Sequence, residues 1–477
     1  MSKLVAKNAF ILTFVEILSK VIELLSFVFL ARILGVEKYG LLNFVYAVGT
    51  IFILLPHFGF DQLVARDIAR QKEKTGEYLV GVSLAKIFLF AVTLIFLAIW
   101  LEYFSHFESS KKALVYVGTG GIFFLSNILF SSAFFRAYQR AVIEASIRVS
   151  MAIVMTLISV IAILISPSLL NLLIVRLVVS AMVFIVSICM IVKMLNPDFS
   201  GVWKNMDINF YIKKGWPFAV FIFFIAIYVS VDVVMLSLIV GDKATGFYSV
   251  ATKIIVFFIL VPTGISNAVL PAMSEKVKSD FDGFLKLANS VARFLLILAI
   301  MGMMFNIFLG PAIIVILFGK EYLPSGSVLM ILSCSLIPSY LNHLWNSMLL
   351  SFNKEKVIII FAVTGAVFNI LLNLILIPKY SYYGAAVATI LTEAGVVLFQ
   401  YVYIKRNVLP QISMLVDNRM VFLIGIFMIL FMAWIFPKWL FAGFIPALLG
   451  YILVLFKFKY LDKEDFFSFS RYLLKKS

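Results

Sequence analysis

The first apolar run of the chain carries Glu16, Lys20 and Glu23 at i, i+4 and i+7, with Thr13 beside them. On a helix these three fall within a ~60° arc and make one polar stripe. An ionised side chain at bilayer depth costs several kcal/mol unless it faces a partner or water, so such residues are the first place to look for chemistry. The chemistry open to them is ion pairing, cation or proton coupling, or the holding of an anionic group. The plainer reading is a self-neutralising Glu-Lys-Glu ladder that merely permits insertion. A second pair stands further on, with Asp232 nine residues before Gly241 and Lys253 seven after Gly246. These two are placed to meet across neighbouring helices, as a functional pair or as one structural salt bridge. Arg176 and Glu393 are isolated in apolar runs without a local partner. Lys86 is close enough to a helix end to snorkel and reads as structural.

Other reactive residue types form no constellation. His57, His106 and His343, the last between Asn342 and Asn346, lack metal-ligand spacing and read as helix-packing hydrogen-bond groups. Cys189 and Cys334 both lie in apolar segments, which leaves neither a disulfide frame nor a cysteine metal site. No G-x-x-x-x-G-K-[ST] loop is present, and Gly118-Thr-Gly120-Gly121 lacks the third glycine and the strand of a dinucleotide loop. No G-x-S-x-G is present either. The acids expected on outer loops, Glu37, Glu102, Glu108, Asp242 and Glu321, are scattered singly. No cofactor, metal or catalytic group is expected, and the chain reads as a non-enzyme.

What must position the charges is a set of membrane helices. With 63% hydrophobic residues, 13% charged and a mean hydropathy of +1.09, too little polar surface remains to cover water-soluble cores. Spans of about 20 apolar residues are expected at 10–31, 41–60, 79–101, 113–135, 149–166, 169–192, 217–240, 248–270, 294–315, 327–350, 357–377, 383–403, 421–436 and 439–456. The net charge of +16 is then chiefly a topology signal, not a nucleic-acid footprint. With both termini cytoplasmic, 28 of the 40 Lys and Arg fall on cytoplasmic segments and 8 on outer ones. The longest connections, near 61–78, 193–216, 271–293 and the tail from 457, are too short for an independent soluble domain.

The sequence also repeats. A shift of 206 aligns Leu30, Ile33, Gly35, Gly40, Phe52, Ile53, Leu54 and Pro56 with identical residues, eight identities in the 27 positions 30–56. Apolar bias does not explain paired glycines and a paired proline, which point to the same turn and the same kink. The fold expected is an all-α polytopic membrane protein of about fourteen transmembrane helices. It comprises two six-helix lobes from an internal duplication, 1–200 and 201–410, and a terminal hairpin with a basic cytoplasmic tail, 411–477. A cavity between such lobes would collect Lys20, Arg176 and Lys253.

Several stretches carry a resemblance. Ala31-Arg-Ile-Leu-Gly-Val-Glu-Lys-Tyr-Gly40 is followed by Gly59-Phe-Asp-Gln-Leu-Val-Ala-Arg-Asp-Ile-Ala-Arg70, and later by Leu317-Phe-Gly-Lys-Glu-Tyr322. Asn369-Ile-Leu-Leu-Asn-Leu-Ile-Leu-Ile-Pro-Lys-Tyr380 and Gly384-Ala-Ala-Val-Ala-Thr389 complete the order. Together they resemble the Wzx-type polysaccharide and oligosaccharide flippases of the multidrug/oligosaccharidyl-lipid/polysaccharide exporter superfamily. The resemblance implies a V-shaped pair of lobes, alternating access, and transfer of a polyprenyl-linked sugar from the cytoplasmic to the outer leaflet. Relatives that flip lipid II are similar in having basic residues of the first and eighth helices in a central cavity. Lys20 and Lys253 are the basic residues of those elements here.

The expected function is therefore a flippase for a polyprenyl-phosphate-linked glycan in the cell membrane. Lys20, Arg176 and Lys253 would lie on the substrate pathway, and Glu16, Glu23, Asp232 and Glu393 would tune them or couple an ion. Its partners would be the lipid bilayer and the glycosyltransferases or polymerase of the same pathway, and no nucleic acid. The alternatives are a cation-coupled multidrug exporter of the same superfamily and a membrane scaffold for surface-glycan assembly.

Overall fold

Lipid offers backbone groups no hydrogen-bond partners, so apolar runs of this length are helical. The computed structural model describes residues 3–105, 107–200, 202, 207–411, 414–435 and 440–457, and among these there is no strand. His106 and the basic tail beyond Lys457 lie outside the described residues. Each of the fourteen segments expected from hydropathy falls mainly on helix where it is described, with turn residues at Phe58–Gly59 and Cys334–Ser335. The chain divides into two compact units at Leu238/Ile239.

The first unit holds α1 (Lys3–His57), α2 (Phe60–Arg70), α3 (Thr75–Ile99), α4 (Ser109–Ala137), α5 (Ala141–Ile165), α6 (Leu169–Leu195) and nearly all of α7 (Ile208–Ile239). The second holds α8 (Asp242–Ser279), α9 (Phe281–Phe318), α10 (Leu323–Ser333), α11 (Leu336–Ser351), α12 (Glu355–Asn407), α13 (Met414–Asp417), α14 (Arg419–Ile435) and α15 (Phe444–Lys457). At 1.5 Å per residue, α1 and α12 would each run about 80 Å, more than twice a hydrocarbon core. Both are two spans joined at a break, α1 at Gly35 and α12 at Ser381. At the second break Gly384 lies against the Leu376 carbonyl, so close that a Cβ there would overlap it. The chain therefore folds back on itself. α10 and α11, bent by 46° at their junction, are together long and apolar enough for one crossing. The protein is a multi-pass membrane protein.

Two connections differ from the sequence reading. The segment 61–78 contains α2, which buries Phe60, Leu63, Val64 and Ile68 on one face against α4. Its apolar positions follow the helical period that a hydropathy window averages away. The segment 271–293 is almost wholly helical, because α8 and α9 run on past the apolar core and meet at Asp280. Asp280 caps α9 by accepting the Gly283 amide at 2.9 Å.

The duplication is visible in the backbone. Gly35 and Gly241, paired by the 206 shift, adopt φ/ψ of 73/173° and 118/173°, a region closed to other residues. Pro56 and Pro262 both sit inside helices. The α4–α5 and α11–α12 turns also match. Gln139 and Asn353 take φ of 57° and 55°, each next to a helix C-cap. Arg140 N donates to Phe135 O, and Lys354 N to Leu349 O, both at 2.8 Å. Gln139 N reaches Arg136 O, and Asn353 N reaches Leu350 O, both at 3.0 Å. These are the two bonds of a left-handed helix stop, made twice.

The terminal helices are fastened to the second unit. α14 and α15 pack on α9, with Gly425 against Ile300. Asn418 donates to Asn289 Oδ1 at 2.7 Å and accepts from Arg293 Nε at 3.2 Å.

Candidate functional site

The stripe on α1 forms as an ion pair. Lys20 Nζ lies 2.9 Å from Glu23 Oε2, one turn on, with 41% and 36% of the two side chains exposed. Glu16 is exposed on the same helix. One rung of the expected ladder is formed, and the pair remains partly exposed.

Arg176 has the local partners that its sequence neighbours do not offer. On α6, it donates from Nη1 to Ser159 Oγ of α5 at 3.0 Å and stands over the Tyr46 ring of α1 at 5.3 Å. Partners one or more helices away are invisible to local spacing. Asp232 is buried in α7, and Lys253 is half-buried on α8. Glu393 is half-buried on α12, one turn beyond Thr389, whose hydroxyl lies 3.0 Å from the Tyr248 hydroxyl. Lys86 does not snorkel. It is 1% exposed, its ammonium lacks a hydrogen-bond partner, and it sits 5.1 Å from the Phe130 ring centroid. Its α3 neighbours Ala85 and Leu89 belong to a buried cluster with Leu63 and Val64 of α2 and Phe130 and Phe134 of α4. His57, nearby on α1, has Nε2 3.6 Å from Asp61 Oδ1.

Two charged clusters escaped the sequence reading because both lie in connections. Glu144, at the start of α5 and 1% exposed, accepts from Arg136 Nε at 3.2 Å and from Arg148 Nη2 at 3.1 Å. The i, i+4 spacing of Glu144 and Arg148 was the signal available. Asp67 of α2 accepts from Arg66 Nε at 2.7 Å, Tyr78 hydroxyl at 2.7 Å and Lys214 Nζ of α7 at 3.2 Å. Burial pushes its carboxyl up, but those three donors outweigh it and hold the pKa down to about 2. This latch ties the start of α7 to α2 and α3.

Polar groups also serve the bends. Pro262 has no N–H to give the Phe258 carbonyl, and the Tyr340 hydroxyl donates to that oxygen at 2.9 Å. Among the described residues no cluster of three or more His, Cys, Asp or Glu is placed to hold a metal ion.

The model of the family described as polysaccharide biosynthesis protein matches residues 5–277, more than half of the chain. The chain belongs to this family. The model described as lipid II flippase MurJ also matches, over residues 212–454. Among curated relatives of this polysaccharide biosynthesis protein, an O-antigen transporter of Shigella dysenteriae, so named provisionally, is 28% identical over 210 residues. That match covers 42% of this chain and 50% of the relative. A flippase of Haloferax volcanii, also provisionally named, is 32% identical over 175 residues, 35% of each chain. The chain thus spans half or less of the length of the curated relatives it matches. Two solved structures share the fold of this family member. The lipid II flippase MurJ, in an inward closed conformation, superposes with a TM-score of 0.70 at 17% identity, covering 93% of this chain and 97% of that one. An inward-facing multidrug resistance transporter of the MATE family gives 0.62 at 12% identity, covering 83% and 96%.

Proposed function

We propose that this polysaccharide biosynthesis protein is a flippase. It moves a polyprenyl-linked oligosaccharide or polysaccharide precursor from the cytoplasmic to the outer leaflet of the cell membrane, by alternating access and without catalysis. Sugar hydroxyls and phosphates cannot cross hydrocarbon unaided, since each desolvated polar group costs several kcal/mol. The observation that carries the reading is the Lys20–Glu23 pair, charged and more than a third exposed within a membrane helix of a family member. Charges kept open at bilayer depth need a polar cargo or water to face. On this reading Lys20, Arg176 and Lys253 hold the anionic part of the substrate, while Glu16, Glu23, Asp232 and Glu393 tune those cations or couple an ion. Both termini are cytoplasmic, and the glycosyltransferases or polymerase of the same pathway supply and consume the glycan.

Lys20→Ala and Lys253→Ala in proteoliposomes test this. Translocation of a labelled polyprenyl-diphosphate glycan should fall at least tenfold in each, and undiminished translocation in both rejects the cationic pathway. A second reading, a cation-coupled exporter, draws on the likeness to the multidrug transporter and on the buried acid Asp232. It requires uptake of a cationic dye that Asp232→Asn abolishes.

A further inference from the structure

The second unit contains a run of amides that packing leaves incomplete. Several asparagines within the helices donate to a carbonyl of their own helix. Asn43, Asn127 and Asn306 donate to the carbonyl four residues back at 2.8, 2.9 and 2.8 Å and are almost fully buried. Asn342 and Asn346 of α11 pair with each other, as Asn369 and Asn373 of α12 do at 3.0 Å, but the α12 pair is buried and the α11 pair is not. Asn346 Nδ2 donates to Asn342 Oδ1 at 3.0 Å, and Gln400 Nε2 of α12 donates to Asn346 Oδ1 at 3.2 Å. Both asparagines remain partly exposed, on the more open stripe of α11 that also carries Pro338 and Leu350.

Two buried polar atoms at this run lack a hydrogen-bond partner. Gln400 is 2% exposed, yet its Oε1 has no hydrogen-bond partner, and neither has the buried Nε1 of Trp345 beside Asn346. An amide directed at lipid would find no partner, so a half-open amide stripe beginning about 9 Å beyond the α10–α11 bend faces a polar space. A row of neutral donors and acceptors beside Trp345 and Tyr401, whose rings lie 5.8 Å apart, suits hydroxyl and acetamido groups better than phosphate, which takes cations. We infer that Asn342, Asn346 and Gln400 form a subsite for the sugar part of the cargo. The inference rests on the flippase reading and assigns the sugar to neutral amides, apart from the charges proposed to hold the phosphate.

The test compares binding of two probes to the purified full chain, a C20 polyprenyl diphosphate and the same lipid carrying one N-acetylhexosamine, followed by tryptophan fluorescence. Wild type should prefer the glycosylated probe by about tenfold, the yield of one or two net hydrogen bonds. Asn342→Leu and Asn346→Leu should cut that preference to below about threefold and leave binding of the bare diphosphate unchanged. Asn342 keeps the test sound should Asn346→Leu unfold the protein, since its Nδ2 is not engaged within the helix pair. An unchanged preference in the folded variants, or equal losses for both probes, overturns the assignment. A wild type that binds with this preference but does not translocate the lipid in proteoliposomes removes the flippase reading and leaves the subsite standing.

Discussion

Replacement of Glu144 by Gln tests how the cytoplasmic end of the first unit is held. The change keeps the shape of a side chain that is 1% exposed and removes the one negative charge between Arg136 and Arg148. It also turns an acceptor into an amide donor facing two guanidinium donors. Stripping one member from a buried ion pair costs about 3–5 kcal/mol, because the remaining charge is left without compensation. Arg136 and Arg148 are 39% and 28% exposed, so water recovers part of that loss. About 2–3 kcal/mol is expected after this discount. At 2–4 °C per kcal/mol for a unit of this size, Tm falls by about 4–12 °C. The assay is thermal unfolding of the detergent-solubilised full chain, with Arg148→Gln alongside. The arginine change should have the smaller effect, since Glu144 keeps its two bonds from Arg136 Nε. A Glu144→Gln shift below about 2 °C, or a larger loss in Arg148→Gln, refutes the argument that the carboxylate holds both cations.

Three further outcomes are expected. Gly241→Ala should destabilise by about 1–3 kcal/mol through φ alone, because no atom lies within 4 Å of the added Cβ; thermal unfolding reads it, and no loss would mean that the turn relaxes freely. Gln139→Gly should raise stability by up to about 1 kcal/mol, since Gln139 holds φ of 57°, and Asn353→Gly by less, because Asn tolerates that region; equal gains would contradict the difference. Asp67 has a depressed pKa of about 2, so its stabilisation is present above the ordinary carboxylate value near 3.8 and is lost as pH falls toward 2. A shift of that size is worth roughly 2.5 kcal/mol, reduced to about 1 by the exposure of Arg66 and Lys214. The Tm gap between wild type and Asp67→Asn should therefore shrink from pH 6 to pH 3, and a constant gap refutes the latch.

Hydropathy made the spans legible because in lipid one variable, the length of an apolar run, decides the element. The repeat was legible in Gly35 and Gly241 because a positive φ leaves few residues to choose from. A different constraint, the close approach of backbone to backbone, accounts for Gly384 and the buried alanines after it at the fold in α12. What stayed hidden depends on distant side chains. Nothing in the sequence around Arg176 announces Ser159 and Tyr46, and nothing around Lys86 announces its burial against Phe130. α2 itself was hidden because its four apolar residues lie among charges, so its mean hydropathy is that of a loop while its period is that of a helix.

Asn342, His343 and Asn346 show the same limit from the other side. Their spacing suggested hydrogen bonds that glue helices, and Gln400 of α12 supplies such a bond. Spacing carries no information on which face of α11 stays open, and that openness separates a packing contact from a place where a ligand completes the bonding. Within a membrane helix, residue type narrows the chemistry, and burial assigns the role. A charge both buried and paired belongs to the frame, as Glu144 does, whereas groups held partly open, as Lys20 and Asn346 are, are the ones the proposed cargo would meet.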